Sequence, residues 1–193
     1  MSATLPGITI VITPLIALMV DQVDNINKKG VPAAYLASSQ GAKENMMIMK
    51  QLVTASSSSN SRSKITSYTK SNEKAVPYKL LYCTPELIET DRFRAVLTDL
   101  YKRKKLNLFA MDEAHCLSTW GHDFRPAYRK LSWLRQSFPS IPCIACTATA
   151  TPKVIQDIRN CLGFGPDIPC HKGSFDRKNV RYEVRYKDVL VSS

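Results

Sequence analysis

Hydrophobic residues fall along this chain in short β-branched runs separated by amphipathic stretches, and that alternation dictates most of the expected architecture. Gly7-Ile8-Thr9-Ile10-Val11-Ile12-Thr13 is apolar enough for a strand buried on both faces, and Pro14 stops it. A helix is expected next. Leu15, Leu18, Met19, Val23 and Ile26 fall close to one helical face, Asp21, Asp24 and Lys28 lie off it, and Lys28-Lys29-Gly30 supplies a basic last turn and a stop. Ala33 to Leu36 reads as a short strand and residues 41–53 as a methionine-rich helix. Tyr78 to Cys83 is a further strand, after which Thr84-Pro85-Glu86 opens a helix with a capping residue and a proline in its first turn. A helix over Asp91 to Lys104 leads into a buried strand, Leu106 to Met111. Pro126 to Phe138 reads as helix with Tyr128, Leu131 and Leu134 toward the core, Ile141 to Cys146 as strand, and Thr151-Pro152 as the cap of a helix reaching about Cys161. Val180 to Tyr186 alternates like a late strand.

Strands alternating with helices predict an α/β fold, a mainly parallel sheet with helices on both faces, and no internal repeat is visible. At 193 residues, 44% hydrophobic and 22% charged, the chain suits one domain with a substantial core. Thr54 to Ala75 breaks the pattern: it holds four consecutive serines and few apolar side chains, so it cannot bury enough surface to offset its ordering entropy. A disordered insertion at about residues 54–76, inside the domain, is the expectation.

The formal net charge of +11 favours a polyanionic partner, nucleic acid ahead of an acidic membrane surface. The excess is densest between residues 55 and 105, where Lys102-Arg103-Lys104-Lys105 reads as a solvated helix end. The cysteines read as small buried hydrophobes, because Cys83, Cys143, Cys146 and Cys161 lie in or beside apolar runs. Cys143 and Cys146 have metal-like spacing, but residues three apart in a strand face opposite sides and cannot readily share one zinc. The apolar opening from Ile8 to Val20 lacks a preceding basic residue, is interrupted by Pro14, and is too short to span a bilayer; no membrane partner is expected.

Chemistry concentrates between Asp112 and Tyr128. Two adjacent carboxylates at the end of a buried strand are costly unless a cation or a mechanism uses them, although an acidic helix start explains them equally well. Asp112 can hold Mg²⁺ and Glu113 can orient an attacking water. His115, three residues past Asp112, can reach a neighbouring loop, and Thr147 and Thr149 in Cys146-Thr147-Ala148-Thr149-Ala150 offer it hydroxyls at the same sheet edge. Trp120, His122, Phe124 and Arg125 follow in a segment containing Gly121 and Pro126, which predicts a loop. Bases stack on Trp and Phe, and Arg can meet phosphate; packing under a loop is the competing explanation for such aromatics. No G-x-x-x-x-G-K-[ST] phosphate loop occurs anywhere in the sequence.

Taken together, Thr13-Pro-Leu-Ile-Ala-Leu-Met-Val-Asp-Gln-Val23, Tyr82-Cys-Thr-Pro-Glu86, Asp112-Glu-Ala-His115, Trp120-Gly-His-Asp-Phe-Arg-Pro126, Thr147-Ala-Thr-Ala150 and Ser174-Phe-Asp-Arg-Lys-Asn179 resemble, in order, the first motor lobe of RecQ-type DEAH-box DNA helicases. D-E-A-H alone is shared by many helicases; D-E-A-H-C followed by W-G-H-D-F-R-P is specific to RecQ proteins. Thr13 departs from the usual serine, Thr119 from a frequent glutamine, and Cys146 from the leucine that commonly precedes T-A-T-A.

The resemblance implies a RecA-like lobe of an ATP-driven 3'-5' DNA helicase of repair or recombination, resident in the nucleus. Asp112 is implied as the Mg²⁺ residue, Glu113 as water-activating, and His115, His122, Thr147 and Thr149 as coupling residues. Trp120, Phe124 and Arg125 are implied as single-strand or junction DNA contacts, and Thr13, Pro14, Thr84, Pro85 and Glu86 as followers of the DNA backbone. ATP and Mg²⁺ are the implied cofactors. In the family the phosphate loop precedes the segment matching Leu5-Pro6-Gly7, so the fold is expected to be incomplete, without the phosphate-loop strand and helix and without the second RecA-like lobe. On that reading residues 1–193 are a partial ATP-binding domain, inactive alone, with exposed apolar edges. A non-enzymatic single-stranded DNA-binding fragment is the alternative of a different class; a DEAH-type RNA helicase is disfavoured by W-G-H-D-F-R-P.

Overall fold

The computed structural model describes residues 7–54, 76–120, 123–174, 176 and 178–184. The insertion expected at about residues 54–76 therefore lies almost wholly outside the described residues, as does His122. Among the described residues five strands form one sheet: β1 (Ile8–Ile12), β2 (Ala33–Leu36), β3 (Leu80–Cys83), β4 (Leu106–Met111) and β5 (Cys143–Ala145). Their order is β2-β3-β1-β4-β5 and every pairing is parallel. Between them run α1 (Ile16–Lys28), α2 (Ala42–Thr54), α3 (Pro85–Ile88), α4 (Asp91–Lys102), α5 (Pro126–Arg129) and α6 (Ser132–Ser137), and α7 (Pro152–Leu162) follows β5.

The two-residue period of the strands sorts their side chains to two faces. Ile8, Ile10, Ile12, Leu81, Cys83, Phe109 and Met111 join the larger core with residues of α2, α4 and α7, whereas Val11, Tyr82 and Ala33 meet Met19 and Val23 of α1. Helices thus cover both faces, as the alternation predicts, but unequally. On the α1 side the cover thins toward β5, where Ile144, paired with Ala110 of β4, is 47% exposed. Gly7 precedes β1 at a φ of 103°, and a Cβ there would lie 2.5 Å from the carbonyl oxygen of Lys105. Only glycine lets β1 enter beside β4 at that distance.

Several expectations are corrected. In α1, Met19 and Val23 are buried but Leu15 and Leu18 are exposed: Leu15 precedes the helix with an extended φ of −107°, and Leu18 sits one residue, about 100°, around from Met19. The single helix expected over Pro126 to Phe138 is two short ones, α5 and α6. Leu131 N–H bonds to Tyr128 C=O and Leu134 N–H to Leu131 C=O, a tight three-residue repeat that keeps Tyr128, Leu131 and Leu134 on one buried face. Residues 180–184 of the expected late strand form no strand, and Tyr182 and Val184 are 81% and 93% exposed. Alternation without a neighbouring strand to complete the ladder does not hold a β conformation; Arg185 and Tyr186 lie outside the described residues. Cys146 is exposed because β5 ends one residue before it, and Cys143 and Cys161 are only partly buried, leaving Cys83 and Cys116 as the fully buried thiols.

Candidate nucleotide and nucleic-acid site

A parallel sheet delivers the carboxyl ends of all its strands to one edge, where α/β folds place their chemistry. Here β1 delivers Thr13-Pro14, β3 Thr84-Pro85, β4 Asp112-Glu113 and β5 Cys146-Thr147. Backbone bonds continue past the strand ends: Asp112 N–H to Ile12 C=O at 2.8 Å, Cys146 N–H to Met111 C=O at 2.8 Å, and Ala114 N–H to Cys146 C=O at 2.8 Å. The acidic turn and the threonine segment are therefore tied together independently of any side chain. Beneath them the hydroxyl of fully buried Tyr128 donates to the carbonyls of Asp112 at 2.9 Å and Ile12 at 3.1 Å.

Glu113 turns the chain out of β4 with φ 48° and ψ 46°, the left-handed region that a side chain with a Cβ enters at a cost of about 1–2 kcal/mol. That turn starts a 3-10 helix, Ala114–Leu117, and swings His115 back over the site. His115 Nδ1 lies 2.8 Å from Thr147 Oγ1 and 3.3 Å from Glu113 Oε2. The Thr147 hydroxyl donates to Thr149 C=O at 3.1 Å, so toward the imidazole it accepts, and Nδ1 carries the proton. The expected bond from His115 to the threonine loop is thus present, made by Thr147; Thr149 contributes its backbone, its N–H donating back to Thr147 Oγ1 at 3.2 Å. Glu113→Gly is expected to raise thermal stability by about 1 kcal/mol while deleting the carboxylate beside His115, a gain that a denaturant titration measures.

Asp112 Oδ1 accepts the Glu113 N–H at 3.0 Å, which fixes the carboxylate at the strand end and leaves its second oxygen for a cation. Two partly exposed carboxylates fit the one or two protein ligands that Mg²⁺ takes when phosphate and water complete its shell. The residues that would cradle phosphates are not in this sequence.

Past the 3-10 turn the chain stays anchored up to an exposed aromatic. Thr119 N–H donates to Asp157 Oδ2 at 3.2 Å, Trp120 N–H to Ser118 Oγ at 3.1 Å, and the Trp120 side chain projects with 63% exposure. Phe124 is 38% exposed. Arg125 is held on two sides: its N–H bonds to Cys116 C=O at 3.0 Å, and its guanidinium donates to Pro14 C=O at 3.4 Å and Asp123 Oδ2 at 3.5 Å. Of the proposed backbone followers, Thr13, Pro14, Thr84 and Pro85 are buried and Glu86 is exposed. The Thr13 hydroxyl is buried with no hydrogen-bond partner among the described residues.

His115, Cys116 and Asp123 bring ligand-type atoms within 4.8 Å of one another, yet Asp123 is committed to the Cys116 thiol at 3.7 Å and to Arg125. Burial, reinforced by the Asp123 charge, pushes the Cys116 thiol up from 9.0 to about 11, and burial does the same for Cys143. Both thiols keep their protons in the folded state while the unfolded chain loses them. Their contribution to stability is therefore constant below pH 9 and is lost as pH rises toward about 11, which urea melts across that range measure.

Comparison with known proteins places this geometry. The model of the DEAD/DEAH box helicase family matches residues 2–158. The chain belongs to the DEAD/DEAH box helicase family. Within it, the RecQ-like DNA helicase BLM of Xenopus laevis is 42% identical over 181 residues, 93% of this chain and 12% of that protein. The ATP-dependent DNA helicase RecQ of Haemophilus influenzae is 39% identical over 185 residues, 95% of this chain and 26% of the relative. The chain thus spans about a quarter or less of the length of these curated relatives, and the resemblance to RecQ-type helicases read from the motifs is upheld. The Pyrococcus furiosus Hef helicase domain superposes with a TM-score of 0.49 at 16% identity, over 84% of this chain and 28% of that one. Membership in the DEAD/DEAH box helicases implies ATP as the nucleotide. No described helix is long and apolar enough to cross a membrane.

Sequence reasoning passed over Lys153 and Asp157. In this DEAD/DEAH box domain they lie one turn apart on α7, Asp157 accepting the Thr119 N–H and Lys153 Nζ standing 3.3 Å from the centroid of the Trp120 ring. Opposite charges four apart read as an ordinary solvated helix face, and only the threonine segment immediately before them signals otherwise.

Proposed function

We propose that this chain is the nucleotide- and DNA-responsive part of the first lobe of a RecQ-type ATP-dependent 3'-5' DNA helicase, which acts on single-stranded or junction DNA in the nucleus. The observation that carries the reading is the 2.8 Å bond between His115 and Thr147, five residues ahead of an exposed tryptophan. ATP with Mg²⁺, when bound in the whole motor, supplies a phosphoryl group for transfer to water. Asp112 would hold the cation side of that site, and Glu113 would orient the water and accept its proton. His115, restrained by Glu113 and Thr147, senses the occupancy of the site through the threonine segment, and His122 belongs to the same relay. Trp120 and Phe124 stack on bases, and Arg125 exchanges its Pro14 and Asp123 partners for phosphate. Thr13, Pro14, Thr84 and Pro85, buried at the ends of β1 and β3, shape the turns along which the DNA backbone runs, with Glu86 as the exposed member.

The same proposal has residues 1–193 bind single-stranded DNA. Ultraviolet cross-linking of oligo-dT to the purified chain tests the assignment. Cross-links are expected within residues 116–129; cross-links confined to helices α2 and α4 would sink it.

A further inference from the structure

The contacts around Trp120 are specific in a way its exposure does not require. Its backbone N–H is held by Ser118, the preceding N–H by Asp157, and one face of its ring by the Lys153 ammonium at 3.3 Å. Asp157 also meets Arg129 of α5 at 3.5 Å, so one carboxylate anchors the chain on both sides of residues 120–125. Val154, Ile158 and Leu162 bury the adjoining stripe of α7 in the core, which leaves Lys153 and Asp157 facing the loop from a rigid base. At its amino-terminal end, where Lys153 stands, α7 is continuous with the threonine segment: Thr151 caps it, accepting the Val154 N–H at 3.4 Å, and Thr147 is bonded to His115.

We infer that Lys153 and Asp157 of α7 form the seat of the aromatic loop, a nucleotide subsite in which Lys153 holds one face of Trp120, leaves the other for a base, and meets the phosphate beside that base. Asp157 is a positioning residue: it fixes where the loop leaves the 3-10 turn. The inference rests on the proposed role of Trp120 in binding single strands. A cation on one ring face makes the two faces of the indole unlike, since a second cation is repelled there and an uncharged base stacks opposite. The ammonium, solvent-exposed and close to the stacked base, is placed to replace a condensed counterion of the strand. The closed path from His115 through Thr147, Thr151 and α7 back to Trp120 means that a displacement of the threonine segment shifts the seat and the ring together.

Anisotropy titrations of labelled oligo-dT against the full chain over a range of salt test this. Lys153→Ala is expected to weaken binding about five-fold and to lower the slope of log affinity against log salt by about 0.7, one phosphate on single-stranded DNA. Lys153→Arg is expected to restore both. Asp157→Ala is expected to weaken binding without changing the slope. In a Trp133→Phe background, Lys153→Ala also changes the emission of Trp120 in the absence of DNA. Unchanged or tighter binding by Lys153→Ala, with Trp120→Ala still weakening it, overturns the seat and leaves the DNA-binding proposal standing. If Trp120→Ala has no effect, the DNA-binding proposal itself fails.

Discussion

Tyr128→Ala is expected to lower the free energy of unfolding by about 3–5 kcal/mol, a large share of the 5–15 kcal/mol typical of a single domain. The ring is fully buried in the larger core, and its hydroxyl spans the carbonyls of Ile12 and Asp112, the last residue of β1 and the first residue after β4. Truncation thus opens a cavity and frees the junction on which the acidic pair stands. Tyr128→Phe separates the two parts. It keeps the ring and leaves Ile12 C=O its bond from Asp112 N–H, so it is expected to cost only about 1 kcal/mol. Urea denaturation followed by circular dichroism should rank the native chain above Phe and Phe well above Ala; an alanine variant as stable as the native chain would show that the site does not rest on this side chain.

The largest expected effect on binding is that of Trp120→Ala, a loss of roughly 5- to 150-fold in affinity for single-stranded DNA, equivalent to the 1–3 kcal/mol that a stacked base contributes. The side chain is 63% exposed with the Lys153 ammonium over one face of its ring, so stability should change by no more than about 0.5 kcal/mol. That separation makes the variant informative. A fold defect lowers affinity and melting temperature together, whereas a lost platform lowers affinity alone. Phe124, less exposed at 38%, should show a smaller loss in the same assay.

Much of this architecture is legible in the sequence, for identifiable reasons. β2 and β4 occupy the spans expected of them, Ala33–Leu36 and Leu106–Met111, because an apolar run ending at an acidic or turn residue leaves little freedom for a buried parallel strand. The bond from His115 to Thr147 follows from topology, since consecutive parallel strands must end at the same edge. Other features depend on partners that no local pattern encodes. Val180 to Val184 alternates correctly but has no neighbouring strand among the described residues, and the three-residue spacing of Tyr128, Leu131 and Leu134 suits a tighter turn than the α-helical period assumed for it. Thr13 and Thr84 are buried directly after β1 and β3, at the mouth of the sheet. Lys153 and Asp157 stayed invisible because their significance lies in contacts with residues more than thirty positions away.

Competition among nucleic acids tests most directly whether the tied strand ends and the aromatic loop make a DNA-responsive helicase lobe. Labelled oligo-dT bound to the purified chain should be displaced by unlabelled single-stranded DNA well before the RNA or the duplex of the same sequence, with affinity falling steeply as salt rises. Equal displacement by all three, or a preference for RNA, would contradict it.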